Sequence, residues 1–120
     1  LIFAYAYICL SEFMVVAQFH KALSEQTRLR IMALILEHKE VCVCDLVAVL
    51  DMPQGTVSRH LSYLKKSGLV QSVTRGTWRY YQLSESLSQP LLAILKLTLD
   101  TLNSDCQVQR DLTSFKPSNC

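Results

Sequence analysis

Acidic residues are missing from one long stretch of this chain. Between Gln54 and Gln82 there is no Asp or Glu, while Arg59, Lys65, Lys66, Arg75 and Arg79 all fall there. The net charge over 120 residues is only +2, so overall charge does not point to nucleic acid. The local surplus does, because a basic stretch in a near-neutral protein is the footprint of a phosphate-binding face. The plainer alternative is a solvated surface with chance clustering. Other absences narrow the class. There is no paired acid/base set and no phosphate-cradling glycine loop, and the three histidines are scattered, so the chain is expected not to be an enzyme. The five cysteines (Cys9, Cys42, Cys44, Cys106 and Cys120) are odd in number and no secretory signal precedes them. That argues against a disulfide framework and for a reduced, cytoplasmic thiol protein. The apolar run at residues 1–10 is far short of the roughly 20 residues that span a bilayer, so no membrane partner is expected. No internal repeat is present.

The chain has room for one modest core. Half of it is hydrophobic, a surplus that single domains of this size commonly hide in a subunit interface. Residues 1–13 are expected to be a non-native or disordered extension, since Met14 and the residues after it read like a natural start. Residues 14–103 form the folded domain, and 104–120 read as a loose polar tail.

Within the domain, residues 15–23 read as a short helix with Val16, Phe19 and Leu23 on one face. Ser24-Glu25-Gln26-Thr27 resembles a helix start. The helix it opens runs to about Glu37, with Leu29, Met32, Ala33 and Leu36 inward. Residues 40–44 read as a connection. Residues 45–50 form a short helix with Leu46, Val49 and Leu50 inward. Met52-Pro53-Gln54-Gly55 is a turn. Residues 56–67 form a helix buried through Val57, Leu61 and Leu64 and stopped by Gly68. Residues 69–74 and 77–83 are β-rich runs joined by Arg75-Gly76, a hairpin with a basic tip. A last helix starts at Ser84 or Ser86 and runs to about Asn103. It is apolar on most sides (Leu87, Leu91, Leu92, Ile94, Leu95, Leu97, Leu99 and Leu102), so it needs cover on most sides, and a partner subunit is the expected cover.

A short helix, a tight turn and a second helix match the helix-turn-helix pattern, and the following hairpin makes it winged. The expected fold is therefore mostly α with a β-hairpin wing. Recognition helices present their N-terminal residues to base edges, here Gln54, Thr56, Ser58 and Arg59. Gln suits adenine, Arg suits guanine, and Ser or Thr suits base or phosphate. Tyr63, Lys65 and Lys66 lie further along and suit phosphates. Arg75 at the wing tip and Arg79 near it reach toward backbone or minor groove. Taken singly, each of these residues also reads as an ordinary solvated position. His60, beside Leu61, reads as a packing or hydrogen-bonding residue rather than a metal ligand.

Cys42 and Cys44 lie just upstream of this helix. Thiolates favour soft ions such as Zn, Cd, Cu(I) or As(III) over hard cations, although a buried cysteine is also an ordinary small packing residue. Residues two apart in a regular helix do not share a face. Both sulfurs converge only if Cys42 lies in the connection or the first helical turn is distorted.

Val41-Cys-Val-Cys-Asp-Leu46, Thr56-Val-Ser-Arg-His-Leu61, Lys66-Ser-Gly-Leu-Val70 and Gly76-Thr-Trp-Arg-Tyr-Tyr-Gln-Leu83 resemble the arsenic-repressor (ArsR/SmtB-type) family of bacterial regulators over roughly residues 19–102. The resemblance implies a homodimeric winged-helix repressor, joined through its first and last helices. It implies double-stranded operator DNA as partner, and release when a metal or metalloid binds Cys42 and Cys44. It implies arsenite or an organoarsenical as inducer, with no organic cofactor. Where the best-known arsenite repressors carry a third cysteine, this chain has Val47. A third sulfur then comes from Cys106 or Cys120, or from Cys9, or the inducer needs only two, as methylarsenite does. Cadmium/lead and zinc branches fit less well: Cys9 alone is a poor N-terminal cysteine set, and there is no His after His60. A redox switch and a metal-buffering protein without DNA binding are the competing functions.

Overall fold

The computed structural model describes residues 2–117, with side chains from Glu12 onward. The sulfurs of Cys9 and Cys120, both weighed above as ligands, lie outside the described residues. The elements are α1 (Ile2–Ala22), α2 (Gln26–His38), β1 (Glu40–Cys42), α3 (Val43–Leu50), α4 (Gln54–Lys66), β2 (Val70–Arg75), β3 (Trp78–Leu83), α5 (Gln89–Asp100) and α6 (Cys106–Ser114). Among the described residues no helix is long and apolar enough to cross a membrane.

The extension expected over residues 1–13 is helical from Ile2 and continuous with the rest of α1. Among the described side chains of α1, Phe19 and Ala22 are buried, as is Leu23 just past its end. Val16, expected beside Phe19, is 42% exposed, and Phe13, Met14 and Val15 are more so. Helix α2 starts at Glu25, whose Oε2 accepts from the Arg28 amide at 3.0 Å. Its fully buried row is Thr27, Ile31, Leu34 and Ile35 with Met32. The expected row was offset: Leu29, Ala33 and Leu36 are half-buried, and Ala33 and Leu36 border a shallow cleft with Leu99 and Leu112. Helix α2 is packed on two sides, so two apolar stripes compete in its sequence.

The segment 40–44, expected as a connection, supplies a strand and a helix start. Strand β1 pairs antiparallel with β3, and the sheet order is β1-β3-β2. Helix α3 then turns into α4 through Asp51 in the left-handed region (φ 53), a conformation Asp tolerates better than most side chains. Helix α4 begins at Gln54 rather than Thr56 and buries Val57, Leu61 and Leu64, as its spacing predicts. Gly68 at φ +81 closes it: its amide reaches Lys65 O at 3.1 Å, and the Leu69 amide reaches Leu64 O at 3.1 Å. The two strands of the wing meet in a two-residue turn, with Arg75 opposite Trp78.

Helix α5 starts later than expected, at Gln89. Ser88 is the N-cap, accepting from the Leu91 amide. Leu91, Leu95 and Leu99 face the core, while Leu97 is 66% exposed. Within the tail expected over residues 104–120, Cys106–Ser114 instead form helix α6, capped by Asp105, whose Oδ1 accepts from the Gln107 and Val108 amides. Val108 and Phe115 are buried, and Phe115 stacks on His38 at 4.2 Å between ring centroids. Two apolar anchors and an ion pair hold this segment, a pattern too sparse to register as periodicity.

Candidate thiol pair and nucleic-acid interface

Cys42 is the last residue of β1 and the N-cap of α3, with extended backbone (φ −88, ψ 149). Cys44 stands in the first turn of α3. Because Cys42 is still strand, the rule that separates residues two apart on a helix does not apply across this junction. The two Sγ atoms lie 2.9 Å apart. Cys42 is buried and Cys44 half-buried. The register sets Cys42 opposite Tyr80 of the wing.

The pair opens into a cavity of about 480 Å³. Its second wall is Gln54, Ser58 and Ser62 of α4, a single stripe at four-residue spacing. Its third is Thr77, Trp78, Arg79 and Tyr81 of the wing. The two sulfurs, helix α4 and the wing thus border one space. Two thiols fit an ion that takes two sulfur bonds. No group of three His, Cys, Asp or Glu able to hold a metal occurs among the described residues. Cys106, expected as a possible third ligand, begins α6 in an exposed position and is not gathered with the pair.

The predicted DNA-contacting residues are spread over α4 and the wing. Gln54 and Arg59 are exposed on α4, and Thr56 and Ser58 are half-buried. Arg59 Nη2 donates to Thr56 Oγ1 at 3.4 Å. Lys65 Nζ donates to Ser72 Oγ at 3.0 Å, tying the end of α4 to the wing, and Lys66 is exposed. Ser58, Arg59, Ser62, Tyr63 and Lys66 border a shallow depression of about 330 Å³. The Arg28 guanidinium sits 4.3 Å from the Tyr63 ring centroid. Arg75 does not project from the wing tip: it pairs with Glu40. That pairing raises its pKa. Arg79 is exposed and borders the thiol cavity.

His60 takes the hydrogen-bonding position expected of it, with Nδ1 3.5 Å from Arg28 Nη1 and 3.8 Å from Glu25 Oε2. Ser62, Trp78 and Glu40 were not singled out from sequence. Ser62 continues the Gln54–Ser58 spacing and Trp78 is the sole tryptophan, signals that were available. Glu40 carries no such signal, because its role depends on the strand pairing.

Residues 25–72 match the sequence model of the "Bacterial regulatory protein, arsR family". An uncharacterized HTH-type transcriptional regulator of Methanocaldococcus jannaschii is 35% identical over 79 residues, 66% of this chain and 89% of that protein. The arsenical resistance operon repressor of Escherichia coli is 44% identical over 72 residues, 60% of this chain and 62% of the repressor. The cadmium resistance regulatory protein CadC of Listeria innocua is 41% identical over 66 residues, 55% of this chain and 56% of CadC. Among solved structures, the homodimeric winged helix-turn-helix DNA-binding domain Mb0332 of Mycobacterium bovis is similar with a TM-score of 0.67. It is 27% identical, with 77% of this chain and 82% of that one covered. The AntR antimony-specific transcriptional repressor gives a TM-score of 0.63 at 26% identity, covering 77% of this chain and 80% of that one.

Proposed function

The chain belongs to the arsR family of bacterial regulatory proteins, as a winged helix-turn-helix DNA-binding regulator, and from that premise we propose an arsenic-responsive repressor. It binds operator DNA as a homodimer in the bacterial cytoplasm, without catalysis, and leaves the DNA when trivalent arsenic binds Cys42 and Cys44. The single observation that carries this reading is the 2.9 Å approach of the two sulfurs inside a cavity walled by Gln54 and Ser58 of the DNA-reading helix.

The chemistry follows from the thiols. Each gives up its proton and displaces one hydroxide of a trivalent arsenical as water, leaving two sulfur–arsenic bonds. Methylarsenite is satisfied by two such bonds. Arsenite keeps its third hydroxide, or gives it up as water to the thiol of a further cysteine such as Cys120. Bonding ties the end of β1 to the first turn of α3. Helix α3 packs on α4, so a change at this junction reorients the DNA-reading helix. The exposed apolar residues of α1 (Phe13, Met14, Val15) and Leu97 of α5 suit a partner subunit.

An electrophoretic shift on the gene's own upstream DNA tests the reading. The shift is expected without inducer and lost with arsenite or methylarsenite. Absence of any shift sinks the repressor reading. Release by cadmium alone moves the inducer to the cadmium class, as in the relative CadC. Release by oxidant alone makes the pair a redox switch.

A further inference from the structure

Arg75 ends β2 at the tip of the wing, where a cation would ordinarily point toward DNA. Here it folds back across the sheet. Its guanidinium lies 5.2 Å from the Tyr80 ring centroid and forms an ion pair with Glu40. The two residues belong to the outer strands β2 and β1, with β3 between them. The register explains how they meet. Arg75 pairs with Trp78, and Glu40 with Gln82. Trp78, Tyr80 and Gln82 alternate onto one face of β3, so Arg75, Tyr80 and Glu40 share that face. The opposite face carries the buried Val41 and Tyr81.

We propose that Glu40 competes with DNA phosphate for Arg75, making Glu40 a positioning residue that sets DNA affinity. The inference rests on the DNA-binding reading above. A guanidinium bonds a carboxylate and a phosphate through the same planar fork, so one partner can replace the other. The pair is open to water: the side chains are 56% exposed at Arg75 and 34% at Glu40. Such pairs are weak enough to exchange. While Glu40 holds Arg75, one of the five cations of the acid-free stretch is neutralised and turned away from the wing tip. Binding through the wing must first break this contact.

Fluorescence anisotropy on the upstream duplex, over a salt series, tests the competition with Glu40→Gln, Arg75→Gln and the double variant. Glu40→Gln should bind about two- to fivefold tighter, the range expected for freeing one exposed partner. Its plot of log affinity against log salt should steepen by about 0.9, the contribution of one added phosphate contact. Arg75→Gln should weaken binding, and adding Glu40→Gln to it should change nothing. Glu37→Gln, which removes an exposed acid from α2, should lack the effect. Wild-type binding with an unchanged Glu40→Gln slope overturns the inference and leaves the repressor reading intact. An equal gain in the Arg75→Gln background, or with Glu37→Gln, also overturns it by exposing a general charge effect. A wild-type protein that binds no DNA overturns both.

Discussion

Arg30 on α2 donates two hydrogen bonds to Asp111 on α6, from Nε to Oδ2 at 2.8 Å and from Nη2 to Oδ1 at 3.0 Å. Gln107 Nε2 donates a third to Oδ1 at 2.9 Å. The Asp111 side chain is 4% exposed and that of Arg30 20%. The hydrogen bond to Asp111 holds the Arg30 pKa above its ordinary value. Arg30→Met should strand a buried carboxylate and lower stability by about 2 to 3 kcal/mol, below the full penalty of a broken buried pair because Arg30 is partly solvated. Urea unfolding measures it. A loss under about 0.5 kcal/mol, the level of an ordinary surface substitution, would mean that this clasp does not hold α6.

Glu25 gives folding a pH dependence of known sign. Burial raises its carboxyl pKa, but the Arg28 and Thr27 amides and the charges of His60 and Arg28 outweigh it. The net position is below 4.5. A carboxyl held low in the folded state adds stability that is fully present above its unfolded value and fades as pH falls through the folded one. Glu25→Ala should therefore cost about 0.5 to 1 kcal/mol at neutral pH, the usual worth of a helix cap. The gap from wild type should close as pH falls below 4.5. A gap that stays constant to acid would show that the cap works without its charge.

The elements that were legible in the sequence are those fixed by local chemistry. Val57, Leu61 and Leu64 mark one face of α4, Gly68 ends it, and Gly76 marks the turn of the wing. Strand β1 was not legible, because three residues become a strand only through pairing with β3, some forty positions later. The same pairing makes the site: it keeps Cys42 extended so that its sulfur meets that of Cys44. The sequence could state that condition but not decide it. Helix α6 hides for another reason. Its stability comes from Asp111 meeting Arg30 and Phe115 meeting His38, partners with no regular spacing.

Leu97 is 66% exposed on a helix whose other face lies in the core. With the exposed Phe13, Met14 and Val15 of α1, it adds to an apolar surplus that suits a subunit interface. Leu97→Glu should yield a monomer by sedimentation and weaken DNA binding at least about tenfold, because one half-site contact replaces two. A monomeric wild type would overturn the dimer reading, and a dimeric Leu97→Glu would move the interface elsewhere.

Arg59 and Lys66 are both exposed on α4 but should differ in kind. Arg59, near the helix start, suits a guanine edge, so Arg59→Ala should cost about 1 to 3 kcal/mol on the operator and relax preference at one base pair. Lys66, at the far end, suits a phosphate. Lys66→Ala should weaken all sequences alike and make the salt slope shallower by about one. Competition binding against single-base operator variants separates the two. Equal losses on every duplex from Arg59→Ala would reassign it to the backbone.

Cys42 and Cys44 should act as one unit. Each supplies one of two adjacent sulfurs 2.9 Å apart, and a single thiol cannot chelate. Cys42→Ser and Cys44→Ser should each keep DNA affinity while losing release by methylarsenite at least about tenfold. Cys106→Ser should respond like wild type, since its residue begins α6 and is exposed. Trp78, the sole tryptophan, borders the thiol cavity, so its fluorescence reports occupancy without DNA. Methylarsenite should shift that signal with one equivalent per chain in wild type and leave it unchanged in either serine variant. A response that survives Cys44→Ser but dies with Cys106→Ser would relocate the sensor to α6. The proximity of the two sulfurs would then be a packing contact, with Cys42 serving only as a buried core residue.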